Sequence, residues 1–489
     1  MSKKLYTDLV STSGTYLLVS SVAIIAGILF PRMLGSEEWG LWSITLGLIG
    51  ILGPIAQMAM STTLVNFISK HKKDKRKVTS FVNSAYIISI VASFAVSLCL
   101  IVASGYMAKS VFQDGRLKVF FILGSSIIFF EQLNIVNRDY FRGFKDFRKY
   151  NMLKIIPSLS VFFLSLLLLL IFSYRAIYVA LAHALVFSAV CITVFIYLHR
   201  FESAFQISFK PCKQDTCRLL RFGVPLIFTM TFITVMKSID RILIGYYMDP
   251  SHVGIYSVAS GIPWMIGSMM APLSIVLLPT FSERKAEGRS SKVLLREIFS
   301  FLIFVSIPMI LLLMLFSGDI LGFVYGGDYP LGATVLSIAS FEILFFGGYV
   351  LFRTSVQAAE RTGVMAMGIG AAALLNIMAN IVLIPLMGME GAAVGTLLSF
   401  ILLFLFMIYM VKKDYELDLN TINIPQVILF TLVMTISGFA VYNRFTGSVS
   451  ITITSFLFAA LTLLFVHISS PLWYKEAKKY VRELIFKST

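Results

Sequence analysis

The chain has 489 residues, 58% of them hydrophobic and only 13% charged, with a mean hydropathy of +0.86. A soluble domain needs far more polar surface, so this composition excludes that class and indicates an integral membrane protein. The net charge of +16 would suggest nucleic acid in a soluble protein; here the placement of the basic residues reads as a topology signal, and no nucleic-acid partner is expected.

Apolar stretches of about 20 residues recur from end to end, the length at which α-helices, rather than the strands of a barrel, cross a bilayer. The predicted helices lie roughly at 10–30, 39–65, 79–103, 117–137, 152–173, 176–198, 222–246, 254–280, 297–317, 331–357, 364–387, 391–411, 425–443 and 449–468. The expected fold class is therefore all-α, a polytopic membrane protein of about fourteen transmembrane helices. The first helix follows Lys3 and Lys4 as a signal peptide would. Pro31-Arg32-Met33 comes next instead of a small-residue cleavage site, so the helix is expected to be retained.

The loops fall alternately on two sides. One side takes most of the 41 Lys and Arg residues: Lys3 and Lys4, KHKKDKRK at 70–77, RDYFRGFKDFRK at 138–149 with Lys154, the 199–221 connection, the 282–297 loop, Arg361, Lys412-Lys413 and the tail. The positive-inside rule puts that side and both termini in the cytoplasm of a cell that carries the protein in its plasma membrane.

Two loops match. PRMLGSEEWGLWS, 31–43, follows the first helix, and MDPSHVGIYS, 248–257, follows the seventh. A shift of 214 aligns Gly40 with Gly254, Leu41 with Ile255, Trp42 with Tyr256 and Ser43 with Ser257. It continues without a gap to Gly53 with Gly267, Phe67 with Phe281 and Lys70 with Arg284. This predicts a duplication into two six-helix lobes, residues 1–198 and 222–412, joined by a cytoplasmic linker at 199–221. Six is even, so the repeats are parallel about an axis along the membrane normal. Residues 413–489, holding helices 13 and 14 and a basic tail, lie outside the repeat. The tail is expected either along the inner leaflet or in solvent.

No Gly-rich phosphate loop, paired metal-ligand spacing or nucleophile elbow is present, and no enzyme is expected. The informative residues are charges within spans, each costing about 2.5–3.5 kcal/mol on insertion scales unless partnered or wet. In the seventh helix Thr231, Thr234, Ser238 and Arg241 share a stripe with Lys237 at its edge. Asp240 can pair with Lys237 at i, i+3, leaving Arg241 to face a cavity; alternatively Asp240 and Arg241 snorkel to the outer surface. Glu342, mid-span in the tenth helix, pairs with a cation such as Lys237 or binds H+ or Na+. Glu131 is expected to pair with Arg138, and His183 to pack with a hydrogen bond. Arg32 beside Pro31 either caps at the interface or guards the outer mouth. Asn376 and Asn380 share a face suited to interhelical hydrogen bonds, Pro385 and Gly388 mark a tight turn, and Gly391 begins a small-residue packing face.

Asn376-x3-Asn380-x3-Ile384-Pro385-x2-Gly388-x2-Gly391-Ala392-Ala393-x-Gly395-Thr396 resembles the late hairpin of polysaccharide biosynthesis transporters. Asp240-Arg241-x2-Ile244-Gly245, then Val253-Gly254-Ile255-Tyr256-Ser257, resembles their seventh and eighth helices. Leu34-Gly35-x3-Trp39-Gly40-Leu41-Trp42 resembles their first outer loop. Together they resemble the O-antigen flippase (Wzx-like) family of the multidrug/oligosaccharidyl-lipid/polysaccharide exporter superfamily, whose fold is MATE-like. The resemblance implies a transporter that needs no cofactor, with coupling to H+ or Na+ left open. Its substrate would be a polyprenyl-diphosphate-linked oligosaccharide, with Lys237, Arg241 and Arg32 meeting the anionic head group and Glu342 and Asp240 serving ion coupling or charge pairing. Membrane lipids and other polysaccharide-assembly proteins are the implied partners. Drug-exporting relatives often carry an acid in the first helix; Leu9 to Phe30 has none, which disfavours the alternative, a cation-coupled multidrug antiporter.

Overall fold

The computed structural model describes residues 3–202, 212–287, 290–359, 361–415, 424–444 and 447–469. The middle of the expected linker, 203–211, and the basic tail, 470–489, lie outside these residues. Long apolar runs can satisfy their backbone polar groups in a bilayer only internally, and every regular element among the described residues is helical. By contact the chain divides into two compact units, residues 1–254 and 255–489.

The first unit holds α1 (Lys3–Gln57), α2 (Met60–His71), α3 (Lys75–Tyr106), α4 (Leu117–Gly143), α5 (Phe147–Ile171), α6 (Ala176–Phe201) and α7 (Lys213–Tyr247). The stretch α1 is really two helices, because Gly35 breaks it with φ 80° and ψ 171°. The first turn of α8 (Pro250–Ser268) also belongs to this unit. The second unit takes the rest of α8, then α9 (Ala271–Ala286), α10 (Lys292–Leu315), α11 (Ser317–Val324), α12 (Ala333–Ala339) and α13 (Glu342–Ala358). It ends with α14 (Thr362–Met387), α15 (Met389–Tyr415), α16 (Ile424–Tyr442) and α17 (Gly447–Ser469).

Nine of the described helices are long and apolar enough to cross a membrane, or ten if the pair bent by 48° between Tyr329–Ala339 and Glu342–Ala358 is one span. About fourteen were expected; beyond these nine or ten long spans the described residues show broken and shorter helices. Ser11–His71 is one stretch across the Gly35 break, α8 and α9 are interrupted at Met269–Met270, and two C-terminal helices, Val427–Tyr442 and Val449–Leu464, are shorter.

Helix ends follow local chemistry. The Asp74 side chain accepts from Lys77 N and starts α3, and Asp146 does the same for α5 from Lys149 N, each satisfying an otherwise orphan donor. Around α4 the first unit is assembled: it packs against α1, α2, α3, α5 and α6. Small residues allow this, since a Cβ on Gly124 would meet Thr45 Cγ2 at 3.0 Å and one on Gly143 would meet Ile68 Cβ at 2.9 Å. A cluster including Leu64, Phe81, Tyr86, Val136 and Leu219 forms the core at the Lys72 end. Packing also places α7 in this unit, against α1, α2 and α3, so the division by contact falls after Gly254 rather than in the 199–221 connection. In the second unit α13 packs on α9, α10 and α15, and α16 and α17 fold onto α10 around Phe304, Phe430, Met434 and Phe458.

Candidate functional site

On α4, Glu131, Asn134 and Arg138 recur at i, i+3 and i+7, so one helical face carries all three. That face borders a cavity of about 490 Å³ inside the first unit, walled by α1, α4, α5 and α6. Lys154 and Ser158 reach it from α5 and His183 from α6, while Trp39, Trp42 and valines of α1 and α5 make it largely apolar. A few converging polar groups in an apolar cavity of this size are the usual make-up of a small-molecule or ion site.

The polar groups are held individually. The His183 ring is 5.0 Å from Trp42, and its Nδ1 lies 2.8 Å from the Val179 carbonyl. A carbonyl only accepts, so Nδ1 carries the proton and Nε2 is left as an acceptor. Asn134 Nδ2 donates to Phe187 O at 2.8 Å. Lys154 Nζ stands 2.9 Å from the centroid of the Tyr16 ring, and the Arg138 guanidinium lies 5.5 Å over Tyr150.

One expectation changes here. The pairing of Glu131 with Arg138 does not form: among the described residues the carboxylate near Arg138 is Asp139, at 3.8 Å, and Glu131 has no ion pair or hydrogen bond. Lys154, within the predicted 152–173 helix, stands on α5, which begins at Phe147, and reaches the cavity wall. The cavity was missed in the sequence because its walls come from four helices; the Glu131-Asn134-Arg138 spacing was the available signal.

The break at Gly35 forms a clamp. Glu38 Oε2 accepts from Ala176 N at 2.7 Å, capping α6, and Arg116 Nη2 bridges Glu37 and Asp114, both at 2.7 Å. Hydrogen bonds from Arg116 hold the Asp114 carboxyl below its ordinary range, against the opposing pull of burial. A lowered carboxyl contributes stability above its unfolded value, and the contribution is lost as pH falls through the folded one. Thermal unfolding is therefore expected to show a decline beginning below about pH 4 that Asp114→Asn diminishes, with Asp114→Asn the less stable protein at neutral pH, where the contribution is fully present. A wild-type and an Asp114→Asn profile that superimpose from acid to neutral pH would contradict this.

Lys237, Asp240 and Arg241 lie on α7, Asp240 3% exposed and the two cations half-buried. Glycines on α1 bring α7 close: a Cβ on Gly47 would lie 3.2 Å from Ser238 O and 3.6 Å from Arg241 Cβ, and one on Gly50 would lie 2.6 Å from Ser238 Oγ. None of the three lines the cavity. Arg32 is exposed on α1, three residues before the Gly35 break. Glu342 belongs to the second unit, where it is 3% exposed and begins α13 directly after the bend. Asn376 Nδ2 donates to Thr396 Oγ1 at 3.0 Å between α14 and α15, and Asn380 Oδ1 packs on Gly395. Pro385 lies in the last turn of α14, and Gly388, with φ 65°, makes the turn into α15. At Gly391 a Cβ would run into the Leu383 carbonyl oxygen.

The sequence profile of the family described as polysaccharide biosynthesis protein matches residues 6–285, more than half of the chain. The chain belongs to the polysaccharide biosynthesis protein family. A second profile, MatE, matches residues 225–382. The chain is 21% identical over 387 residues to a Shigella flexneri protein named as an O-antigen transporter, covering 78% of this chain and 91% of that one. It is 29% identical over 164 residues to a Haloferax volcanii protein named as the low-salt glycan biosynthesis flippase Agl15, covering 33% and 34%. The structure is similar in fold to lipid II flippase MurJ in an inward closed conformation, with TM-score 0.75, 17% identity and coverage of 96% and 99%. This polysaccharide biosynthesis family member is thus a multi-pass transporter of the multidrug/oligosaccharidyl-lipid/polysaccharide exporter superfamily, with the MATE- and MurJ-like fold that its motifs predict.

Proposed function

We propose that the protein flips a polyprenyl-diphosphate-linked oligosaccharide from the cytoplasmic to the outer leaflet of the plasma membrane for assembly of a surface glycan. Transport proceeds by alternating access of two lobes, 1–198 and 222–412, with both termini cytoplasmic. The observation that carries this reading is the pair of half-buried cations, Lys237 and Arg241, retained inside a membrane-spanning helix of a chain from a polysaccharide biosynthesis family. Such charges persist in a bilayer where a polar or anionic partner meets them, and a diphosphate is best bound by Lys and Arg. Arg32 adds a third cation near the outer mouth, and Glu342 and Asp240 serve ion coupling or charge pairing. Asn376, Asn380, Pro385, Gly388 and Gly391 pack the α14–α15 hairpin.

A second reading, a cation-coupled multidrug antiporter, is favoured by the MatE profile match over 225–382. Inverted membrane vesicles separate the two: the flippase reading expects movement of lipid-linked sugar and no proton- or sodium-driven uptake of cationic drugs. Drug uptake without sugar movement would replace it with the second.

A further inference from the structure

We infer that Arg353 and Tyr349, on α13, form an anion site within the second unit that takes the phosphate group of a membrane lipid. The anion site stands apart from the flippase reading; the choice of a polyprenyl diphosphate as its lipid rests on that reading.

Arg353 is a cation in the second half of the bent span, about 8 Å from the end of α13. A guanidinium keeps its proton, so at that depth it needs an anion or water. The repeat shows what is missing. A shift of 215 aligns Arg138 with Arg353, Asp139 with Thr354 and Arg142 with Gln357. In the first unit Asp139 lies 3.8 Å from Arg138 and 3.4 Å from Arg142, an internal counter-charge. Its counterpart Thr354 is neutral and donates to Val350 O of its own helix at 3.3 Å. Among the described residues no carboxylate pairs with Arg353. The second unit keeps the cation and lacks the acid, so the counter-charge comes from outside the chain.

Local packing turns this cation inward. Its guanidinium stands 5.7 Å over the Tyr349 ring, one turn towards the middle of the span, instead of extending to the helix end as a snorkelling arginine would. Tyr349 is 2% exposed, and both its hydroxyl and Arg353 Nε are buried without a hydrogen-bond partner among the described residues. Two unsatisfied donors a turn apart on one helix face suit a phosphate, which accepts from both. Other faces of α13 are taken: Gly348 packs on Phe404, Gly347 on Met270, and Val350 O accepts from Ser274 Oγ at 3.0 Å. One turn beyond Tyr349, Phe346 stacks on Trp264 at 5.8 Å and closes the site towards the middle of the span. Arg353 itself is half-buried, open to a ligand arriving from the helix end. A lipid phosphate reaches that depth while its chains stay in the bilayer. In the proposed orientation this end of α13 lies at the inner leaflet.

Native mass spectrometry of the purified full-length protein in detergent tests the site without transport. The protein is titrated separately with undecaprenyl diphosphate, dioleoyl phosphatidylglycerol, phosphate-free dioleoylglycerol and inorganic phosphate. A Lys237→Ala/Arg241→Ala background is included, so that binding at those two cations is not counted. Arg353→Gln is expected to weaken binding of both phosphate-bearing lipids at least tenfold, and Tyr349→Phe several-fold. Arg353→Lys keeps part of the binding, as a point charge without the planar fork. Lys285→Gln, which removes an exposed cation from the last turn of α9, leaves it unchanged. Lipid-free Arg353→Gln is expected to melt no lower than the wild type, because no internal partner is lost. Equal lipid binding by wild type and Arg353→Gln, an equal loss in Lys285→Gln, or a lipid-free Arg353→Gln that melts well below the wild type overturns the inference. Saturation by inorganic phosphate alone at the same concentration, or equal binding of dioleoylglycerol, overturns the lipid phosphate as ligand. Tighter binding of undecaprenyl diphosphate than of phosphatidylglycerol supports the polyprenyl carrier. Equal binding of the two overturns that choice and gives the site to an inner-leaflet phospholipid. Failure of the protein to flip any lipid-linked sugar overturns the flippase reading, while the titration still decides the anion site.

Discussion

Replacing Gly40 with alanine is expected to cost about 3 kcal/mol of stability, and Gly254→Ala a similar amount. A Cβ on Gly40 would fall inside the contact radius of the Pro250 carbonyl oxygen, and one on Gly254 inside that of Ser36. The crossing is reciprocal: each missing Cβ also approaches the other glycine's nitrogen at 3.1 Å, and Ser36 Oγ meets Ser251 Oγ at 2.8 Å. These obstacles are backbone atoms, so relief requires displacing α1 or the first turn of α8 as a whole. Small residues serve this purpose in membranes, where close backbone approach supplies the packing that burial supplies in water. Gly105 is the control, because a Cβ there meets nothing within 4 Å. Gly105→Ala in α3 should be neutral or stabilising by up to about 1 kcal/mol. Thermal unfolding of the three variants checks the contrast; equal melting points for Gly40→Ala and Gly105→Ala would contradict the observed crossing.

Asp139→Ala is expected to destabilise by about 3 kcal/mol, the lower end for breaking a buried ion pair, since its cations are partly solvated. The carboxylate is 2% exposed, accepts from the Ser61 hydroxyl, and lies 3.4 Å from Arg142 Nε and 3.8 Å from Arg138 Nε. It therefore anchors the first turn of α2 to α4. That anchor counts because α2 follows two non-glycine residues in the left-handed region, Met58 at φ 53° and Ala59 at φ 52°, a conformation that needs surrounding structure to hold it. Asp139→Asn keeps the acceptor for Ser61 and loses only the charge, so it should fall between wild type and Asp139→Ala in chemical denaturation. An alanine variant as stable as the wild type would contradict this assignment.

Much of this fold was legible because its periodicities are long and its punctuation is chemical. The shift of 214 residues paired Gly40 with Gly254, and the structure brings those two glycines together. Asp74 and Asp146 cap α3 and α5, which begin at Lys75 and Phe147 rather than at the predicted 79 and 152. The broken spans were less legible. Met58 and Ala59 are ordinary helix residues whose left-handed conformation is imposed by packing, and the Met269–Met270 interruption carries no glycine of its own. The cavity was illegible for a different reason. Glu131, Lys154 and His183 stand on separate helices, and rotation of one helix against another is fixed by interdigitating side chains that no single-helix pattern reveals. Local spacing suggested Arg138 as the partner of Glu131, but Tyr150 and Asp139 compete for that guanidinium.

The central claim is transport of a lipid-linked glycan through contacts with Lys237 and Arg241. The direct measurement reconstitutes the protein in liposomes and follows flipping of a fluorescent polyprenyl-diphosphate sugar by wild type, Lys237→Ala and Arg241→Ala. The account predicts robust flipping by the wild type and a loss of at least about tenfold, or 1.4 kcal/mol, in each variant at unchanged melting temperature. Equal flipping by all three folded proteins would contradict the role of the two cations, and no flipping by the wild type would contradict the account itself.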